Sequence, residues 1–320
     1  MFADRIKGTV IGALLGDASG AYLEFLGRKP SLEDVDQAIE MKGGGVFELA
    51  QGQYTDDGEM TAALLNTLEM NSGVYDVHQV AKAYRLWLLS LPFDIGNTTR
   101  IALGGGDAYS CDLVDQVIRR AALRNIESKA NGSMMRATPL AIASVRLTFD
   151  QTIQMVEQDV QLTHPNPTCI DSTTAYVLAI RHLLLHAQDH RGAIDVVRDY
   201  LSNTNEEVEG WLKDALEGNL PPAYPFVGFV RYGFTYAMNY LHQGTEYQIA
   251  IKETLLKGGD TDTNACIVGG LLGALHGFDQ LPKDMVRKLM RCNTKKGNQA
   301  RPDFYTIKRV KKSLEHLSFI

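Results

Sequence analysis

An all-α fold in a single domain is what this chain predicts, and three observations carry the prediction. Apolar residues recur at three- and four-residue intervals through most of the sequence, the period of a helix with one buried face. The alternation expected of a half-buried strand is nearly absent. Short glycine and proline clusters, rather than long linkers, separate the periodic stretches, and no repeat of about 20–50 residues is present. One domain over residues 1–320 is the simplest architecture.

The chain opens on an apolar helix in which Gly8, Gly12, Gly16 and Gly20 recur at every fourth position. Glycine inside a helix costs ~1 kcal/mol relative to alanine. Repeated on one face, that cost makes sense where two backbones approach closely. Helical periodicity then covers residues 57–70, 77–91 and 113–125, with Gly43-Gly44-Gly45 and Gly104-Gly105-Gly106 as breaks. Pro165-Asn166-Pro167 precedes helices over 173–186 and 192–201, and Pro221-Pro222 precedes those over 230–242 and 246–256. Gly258-Gly259 leads into a helix over 264–276, where Gly269, Gly273 and Gly277 repeat the four-residue spacing. Tight packing of glycine faces in the core is expected. Residues 283–320 hold 11 Lys/Arg against 3 Asp/Glu and read as a basic C-terminal helical extension, amphipathic and solvated.

The charge is uneven. The whole chain carries −6, but residues 1–282 have 35 Asp/Glu against 21 Lys/Arg. An acidic body speaks against nucleic-acid binding, although the basic extension leaves a contact with RNA, membrane or an acidic partner open. The four cysteines, Cys111, Cys169, Cys266 and Cys292, lie far apart, so reduced thiols and a cytoplasmic compartment are expected. Arg5 and Lys7 before the short apolar stretch 9–15 imitate a signal peptide, but that stretch runs straight into Gly16-Asp17. No segment approaches the ~20 apolar residues of a membrane span. A soluble monomer is expected.

Two acidic clusters stand at helix starts: Thr55-Asp56-Asp57 and Asp260-Thr261-Asp262-Thr263. Either one alone reads as a cap, because aspartate and threonine favour the free N–H groups and dipole of a helix N-terminus. Together they offer hydroxyls and four carboxylates with no His or Cys nearby, a hard oxygen set suited to Mg²⁺ or Mn²⁺. Four crowded aspartates repel unless cations neutralise them, and two ions ~3.5–4 Å apart are a common solution. A binuclear metal site is therefore expected.

These clusters and their neighbours resemble the ADP-ribosylglycohydrolase family, and within it the dinitrogenase-reductase-activating and ADP-ribosylarginine hydrolase branch. The resemblance runs through Gly12 to Gly20 with Tyr22-Leu23-Glu24-Phe25, Lys42 to Gly45, Gly52 to Asp57 and Pro92 to Arg100. It continues in Asn131-Gly132-Ser133-Met134-Met135-Arg136, Thr163-His164 and Gly258 to Thr263, all in family order. It implies a single-domain orthogonal helical bundle holding two Mg²⁺ or Mn²⁺ ions on Thr55, Asp56, Asp57, Asp260, Asp262 and Thr263. It also implies catalytic roles for Glu24, Asp57 and Asp262, and contacts from the loop Asn131, Gly132, Ser133 and Met134 to a diphosphate. His164 would line the ADP-ribose cleft, with Asp94 and Asn97 at the acceptor. The implied activity is hydrolysis of the N-glycosidic bond between ADP-ribose and arginine in a mono-ADP-ribosylated protein. The alternatives are another ADP-ribose linkage (serine, a nucleobase or a small metabolite) or a non-catalytic ADP-ribose binder. Asn97 stands where the arginine-specific branch carries an acid, and an amide cannot pair electrostatically with a guanidinium.

Other features take plainer readings. Asp17 pins the glycine helix or acts behind the metal ligands, and Arg136 is structural. His182, His186 and His190 fall at i, i+4 and i+8, but with no third ligand pattern they read as a polar helix face rather than a zinc site. Tyr224-Pro225-Phe226 and Phe234-Thr235-Tyr236 are expected to pack in the core rather than stack a base. No G-x-x-x-x-G-K-[ST] motif occurs, which disfavours a nucleotide triphosphatase.

Overall fold

The computed structural model describes residues 2–317, and the described chain is helical with no strand. In order come α1 (Phe2–Gly20), α2 (Leu32–Ile39), α3 (Asp56–Met70), α4 (Val77–Leu89), α5 (Asn97–Leu103) and α6 (Leu113–Arg124). There follow α7 (Thr138–Ser144), α8 (Phe149–Gln161), α9 (Pro167–Leu185), α10 (His190–Leu201) and α11 (Glu206–Glu217). The last are α12 (Val230–Gln243), α13 (Tyr247–Lys257), α14 (Thr261–His276), α15 (Lys283–Met290) and α16 (Ile307–Leu317).

The axis of the molecule is the antiparallel pair α1 and α14, whose glycines face each other. A Cβ on Gly8 would lie 2.2 Å from the carbonyl oxygen of Gly273, one on Gly12 2.3 Å from that of Gly269, and one on Gly16 2.0 Å from that of Ala265. The two backbones are in contact, as the spacing predicts. Thr9 Oγ1 and Tyr247 Oη close the pair by donating to the carbonyls of Gly270 and Gly12 at 2.7 and 2.6 Å. The antiparallel run sets the C-terminal end of α1 beside the start of α14, so a Cβ on Gly20 would sit 2.4 Å from Asp262 Cα.

Asp17 on α1 supplies the third element. Its carboxylate accepts hydrogen bonds from the backbone N–H groups of Thr55 and Gly58 at 2.9 and 2.7 Å and from the Thr55 hydroxyl at 2.9 Å. It thereby caps the first turn of α3 from another helix. Three helix ends converge at one point.

Two expectations are corrected. The basic extension is amphipathic but not solvated throughout: Ile307, Val310, Leu314 and Leu317 of α16 are buried, and α16 packs on α3. Ser313 donates to Asn66 at 2.7 Å, and the Tyr54 hydroxyl donates to the Tyr305 carbonyl at 2.6 Å. Only one face, with Lys308, Lys311 and Lys312, meets water. The histidine series is broken as well, because α9 stops at Leu185 and His186 takes an extended conformation. His182 instead pairs with Asp189, the cap of α10, at 2.8 Å.

Candidate active site

Where the ends of α1, α3 and α14 meet, a cleft of about 630 Å³ opens to the surface. Glu24, Asp56, Asp94, Asp260, Asp262 and Thr263 line it, while Asp57 and Thr55 lie fully buried. The two acidic clusters, more than 200 residues apart in sequence, thus share one site. Neither behaves as a cap: Thr55 and Asp260 occupy N-cap positions, yet neither side chain makes the capping hydrogen bond. The Thr55 hydroxyl lies 3.1 Å from Asp57 and 3.4 Å from Asp262, as well as 2.9 Å from Asp17. One hydroxyl has one proton, so it satisfies only one of the three carboxylates.

Oxygens of Asp17, Asp57 and Asp262 all lie within 4.8 Å of one another, and so do oxygens of Glu24, Asp260 and Asp262. Asp262 belongs to both groups. Burial pushes the carboxyls of Asp56, Asp57 and Asp262 well above the usual carboxylate range, with further repulsion from their acidic neighbours. Burial, and next the charge of Asp94, push Glu24 up to about 9. Burial raises Asp17 to about 7 against its three hydrogen bonds, and burial with Asp260 raises Asp94 to about 6. Arg28, which also lines the cleft, is engaged with Asp34 at 2.5 Å. Among the described residues Asp57 Oδ1 and Glu24 Oε2 are buried with no hydrogen-bond partner. Orphaned carboxylate oxygens in an unneutralised acidic floor are a donor set for hard divalent cations, so these residues fit such ions.

A pH dependence follows. With pKa values raised on folding, Asp17, Glu24 and Asp94 bind more protons in the folded chain than in the unfolded one between about pH 4 and pH 9. Stability of metal-free protein therefore falls as pH rises through 6–9. Melting curves in EDTA are expected to show that decline, and saturating Mg²⁺ or Mn²⁺ to remove most of it; an EDTA midpoint flat across this range contradicts the crowded floor.

The walls are built by loops. Asn131 donates to Asp260 at 2.8 Å, tying its loop to the floor, and its backbone N–H donates to the Gly228 carbonyl. A Cβ on Gly132 would meet the His164 ring at 2.9 Å and Thr99 at 3.1 Å, so only glycine lets these three surfaces close. Burial, then the nearby Arg136 charge, hold His164 well below its usual range, leaving a neutral imidazole beside Thr163 at 2.7 Å. Two members of the expected diphosphate loop do not line the cleft. Past Gly132 the chain turns inward: Ser133 pairs with Thr173 at 3.1 Å, and Met134 is a core side chain whose N–H is taken by the Asn131 carbonyl. Met135 lines the cleft in their place. Arg136 is structural, fully buried on Asp159 at 3.1 Å and stacked on Tyr84.

Asp94 lines the cleft together with Asp56 and Glu24. Asn97 is exposed at the rim, where its carbonyl accepts from Arg100 at 2.6 Å. The aromatic expectation holds for Phe234 and Tyr236, both buried. It fails for the other triad, since Tyr224 and Pro225 line the cleft with Val227, and Phe226 is exposed. Residues 221–229 form a loop between helices, so no helical face carries those rings into the core.

Comparison with known proteins bears on the whole chain. The ADP-ribosylglycohydrolase family model matches residues 1–313, reaching past the last motif, Gly258 to Thr263, into the C-terminal segment. An Acanthamoeba polyphaga mimivirus protein whose name places it among ADP-ribosyl glycohydrolases is 30% identical, over 93% of this chain and 94% of its own. The ADP-ribosyl-[dinitrogen reductase] glycohydrolase of Rhodospirillum rubrum is 27% identical over 89% and 90%. The ADP-ribosylarginine hydrolase Tri1 of Pseudomonas putida is 27% identical over 89% and 74%. A solved ADP-ribosylglycohydrolase-related protein complex shares the fold, with a TM-score of 0.73 at 22% identity over 99% of this chain and 97% of that one.

Proposed function

The chain belongs to the ADP-ribosylglycohydrolase family, and from that premise we propose that it releases ADP-ribose from an arginine side chain of a modified protein with the help of two divalent cations. The observation that carries this reading is the convergence of Thr55, Asp56, Asp57, Asp260, Asp262 and Thr263 with Glu24 at the floor of one cleft. Those six residues would hold the ions. Magnesium or manganese bound there supplies Lewis-acid positioning of the ribose hydroxyls and of the attacking water.

Glu24 is the carboxyl left to move protons. It gives a proton to the leaving nitrogen as the bond from the anomeric carbon breaks and its electron pair passes to nitrogen. Water oxygen then bonds that carbon, and the water's proton returns to Glu24. Asn131 and Gly132 form the wall nearest the floor, where a diphosphate would lie, with neutral His164 closing the ADP-ribose side. Tyr224, Pro225 and Val227 offer the apolar surface that a nucleobase needs. Asp94, which lines the cleft with Glu24, would face the acceptor.

One observation favours a second reading. The Asn97 amide already holds Arg100, so a positive charge sits at the rim where a guanidinium would leave. A neutral acceptor such as serine meets less repulsion there. Purified protein with Mg²⁺ or Mn²⁺, incubated with arginine- and serine-ADP-ribosylated peptides, is expected to release ADP-ribose from the arginine peptide. Release from serine alone replaces the linkage; binding of ADP-ribose with release from neither makes this a binding protein.

A further inference from the structure

Around the mouth of the cleft the chain exposes apolar surface that the proposed chemistry does not use. Phe25 follows Glu24 and Phe93 precedes Asp94; Phe47 lies edge-on between them, its ring centroid 5.9 Å from Phe25 and 5.4 Å from Phe93. Phe25 is 64% exposed, and the flanking Val46 and Leu91 are 60% and 84% exposed. Single exposed apolar residues are ordinary, whereas a cluster of this kind marks an interaction surface.

The rim is also a built feature. Phe25, Glu48 and Leu91 hold φ of 54°, 53° and 55°, in the left-handed region that costs an L-residue about 1–2 kcal/mol. The C-terminal segment secures two of these turns. Gln299 donates to the Phe47 carbonyl at 3.1 Å and the Asn298 N–H to that of Glu48 at 3.4 Å. Arg301 donates to the carbonyls of Ser90 and Leu91 at 2.9 and 3.2 Å. The Leu91 turn, held from behind by the buried Arg301 guanidinium, and the Glu48 turn, held by Asn298 and Gln299, present their side chains in fixed positions.

We infer that this rim docks the polypeptide that carries the ADP-ribose: an acceptor segment with a large apolar side chain close to the modified arginine. The inference rests on the proposed function for the identity of its occupant. A cleft of about 630 Å³ has room for one small-molecule group, so the acceptor chain must lie outside it. That chain leaves past Glu24 and Asp94, each one residue from a ring of the rim. The exposed Val46 and Leu91, beside the ring cluster, take the apolar neighbours of the modified arginine.

The test uses two fluorescein-labelled peptides with a central ADP-ribosylarginine, flanked by Leu/Phe or by Gly/Ser. Anisotropy titrations are made on the Asp262→Asn chain, to suppress turnover, with and without Val46→Ser/Leu91→Ser. The Leu/Phe peptide is expected to bind about tenfold more tightly, the worth of one buried apolar side chain. The double substitution should cut that preference to about twofold. Equal affinity for both peptides, or a preference that survives in the variant, overturns the docking surface. ADP-ribose release by the unsubstituted chain is measured in parallel. No release from either peptide, with the preference intact, defeats the hydrolase reading and leaves the rim standing.

Discussion

Asp262→Asn is expected to lower ADP-ribose release roughly a thousandfold, the several kcal/mol that correctly held cations contribute to such a reaction. Asp262 is chosen because its oxygens belong to both carboxylate triplets, one with Asp17 and Asp57 and one with Glu24 and Asp260. The same substitution should raise the melting temperature of the metal-free chain. It removes one of several buried carboxyls that repel one another, and an amide can donate to Asp57 or Glu24, whose oxygens lack partners. Loss of activity with gain of stability distinguishes a charged site from a structural one. If the variant keeps its activity, or if it loses activity by unfolding, Asp262 does not have the role assigned here.

The second large effect is on stability. Arg301→Met is expected to cost about 3–5 kcal/mol, because it strips a buried carboxylate of its partner. Arg301 and Glu59 are both buried and meet through two hydrogen bonds of 2.7 and 2.9 Å, with Trp87 donating to the same carboxylate at 2.8 Å. Burial raises the Glu59 carboxyl and Arg301 opposes that rise, so the lone acid would have to protonate or draw in water. The double variant Glu59→Leu/Arg301→Met should recover much of the loss, since apolar replacement of a buried pair is often neutral. Thermal melting of the three proteins measures this; a single variant as stable as the parent contradicts it. Against a total stability of about 5–15 kcal/mol, the expected loss is large.

The acidic floor was legible because its residues are grouped locally in the sequence. Asp56, Asp57, Asp260 and Asp262 sit beside threonines at helix starts, and glycine spacing in α1 and α14 announced the close packing that brings those starts together. What escaped depends on partners distant in sequence or on where a chain turns. Arg301 looked like one more charge of a basic tail, since its partner Glu59 is 242 residues away. Ile307, Val310 and Leu314 keep helical spacing, but the surrounding lysines gave no sign that this face packs on α3. A contiguous motif suggested that Asn131 to Met134 face one way, whereas the turn after Gly132 sends Ser133 and Met134 into the core. Helices α8 and α11, absent from the periodicity reading, had signals in their caps. Thr148 and Gln151 form a capping box, and Asn205 accepts from Val208 before α11 ends on left-handed Gly218.

Crystals grown with Mn²⁺ and measured at a wavelength where manganese scatters anomalously test the central claim directly. Two peaks about 3.5–4 Å apart are expected. Each should lie within about 2.0–2.3 Å of carboxylate oxygens from both Asp56-Asp57 and Asp260-Asp262. An acidic floor without anomalous density at millimolar manganese, or peaks held by only one of the two clusters, would contradict it.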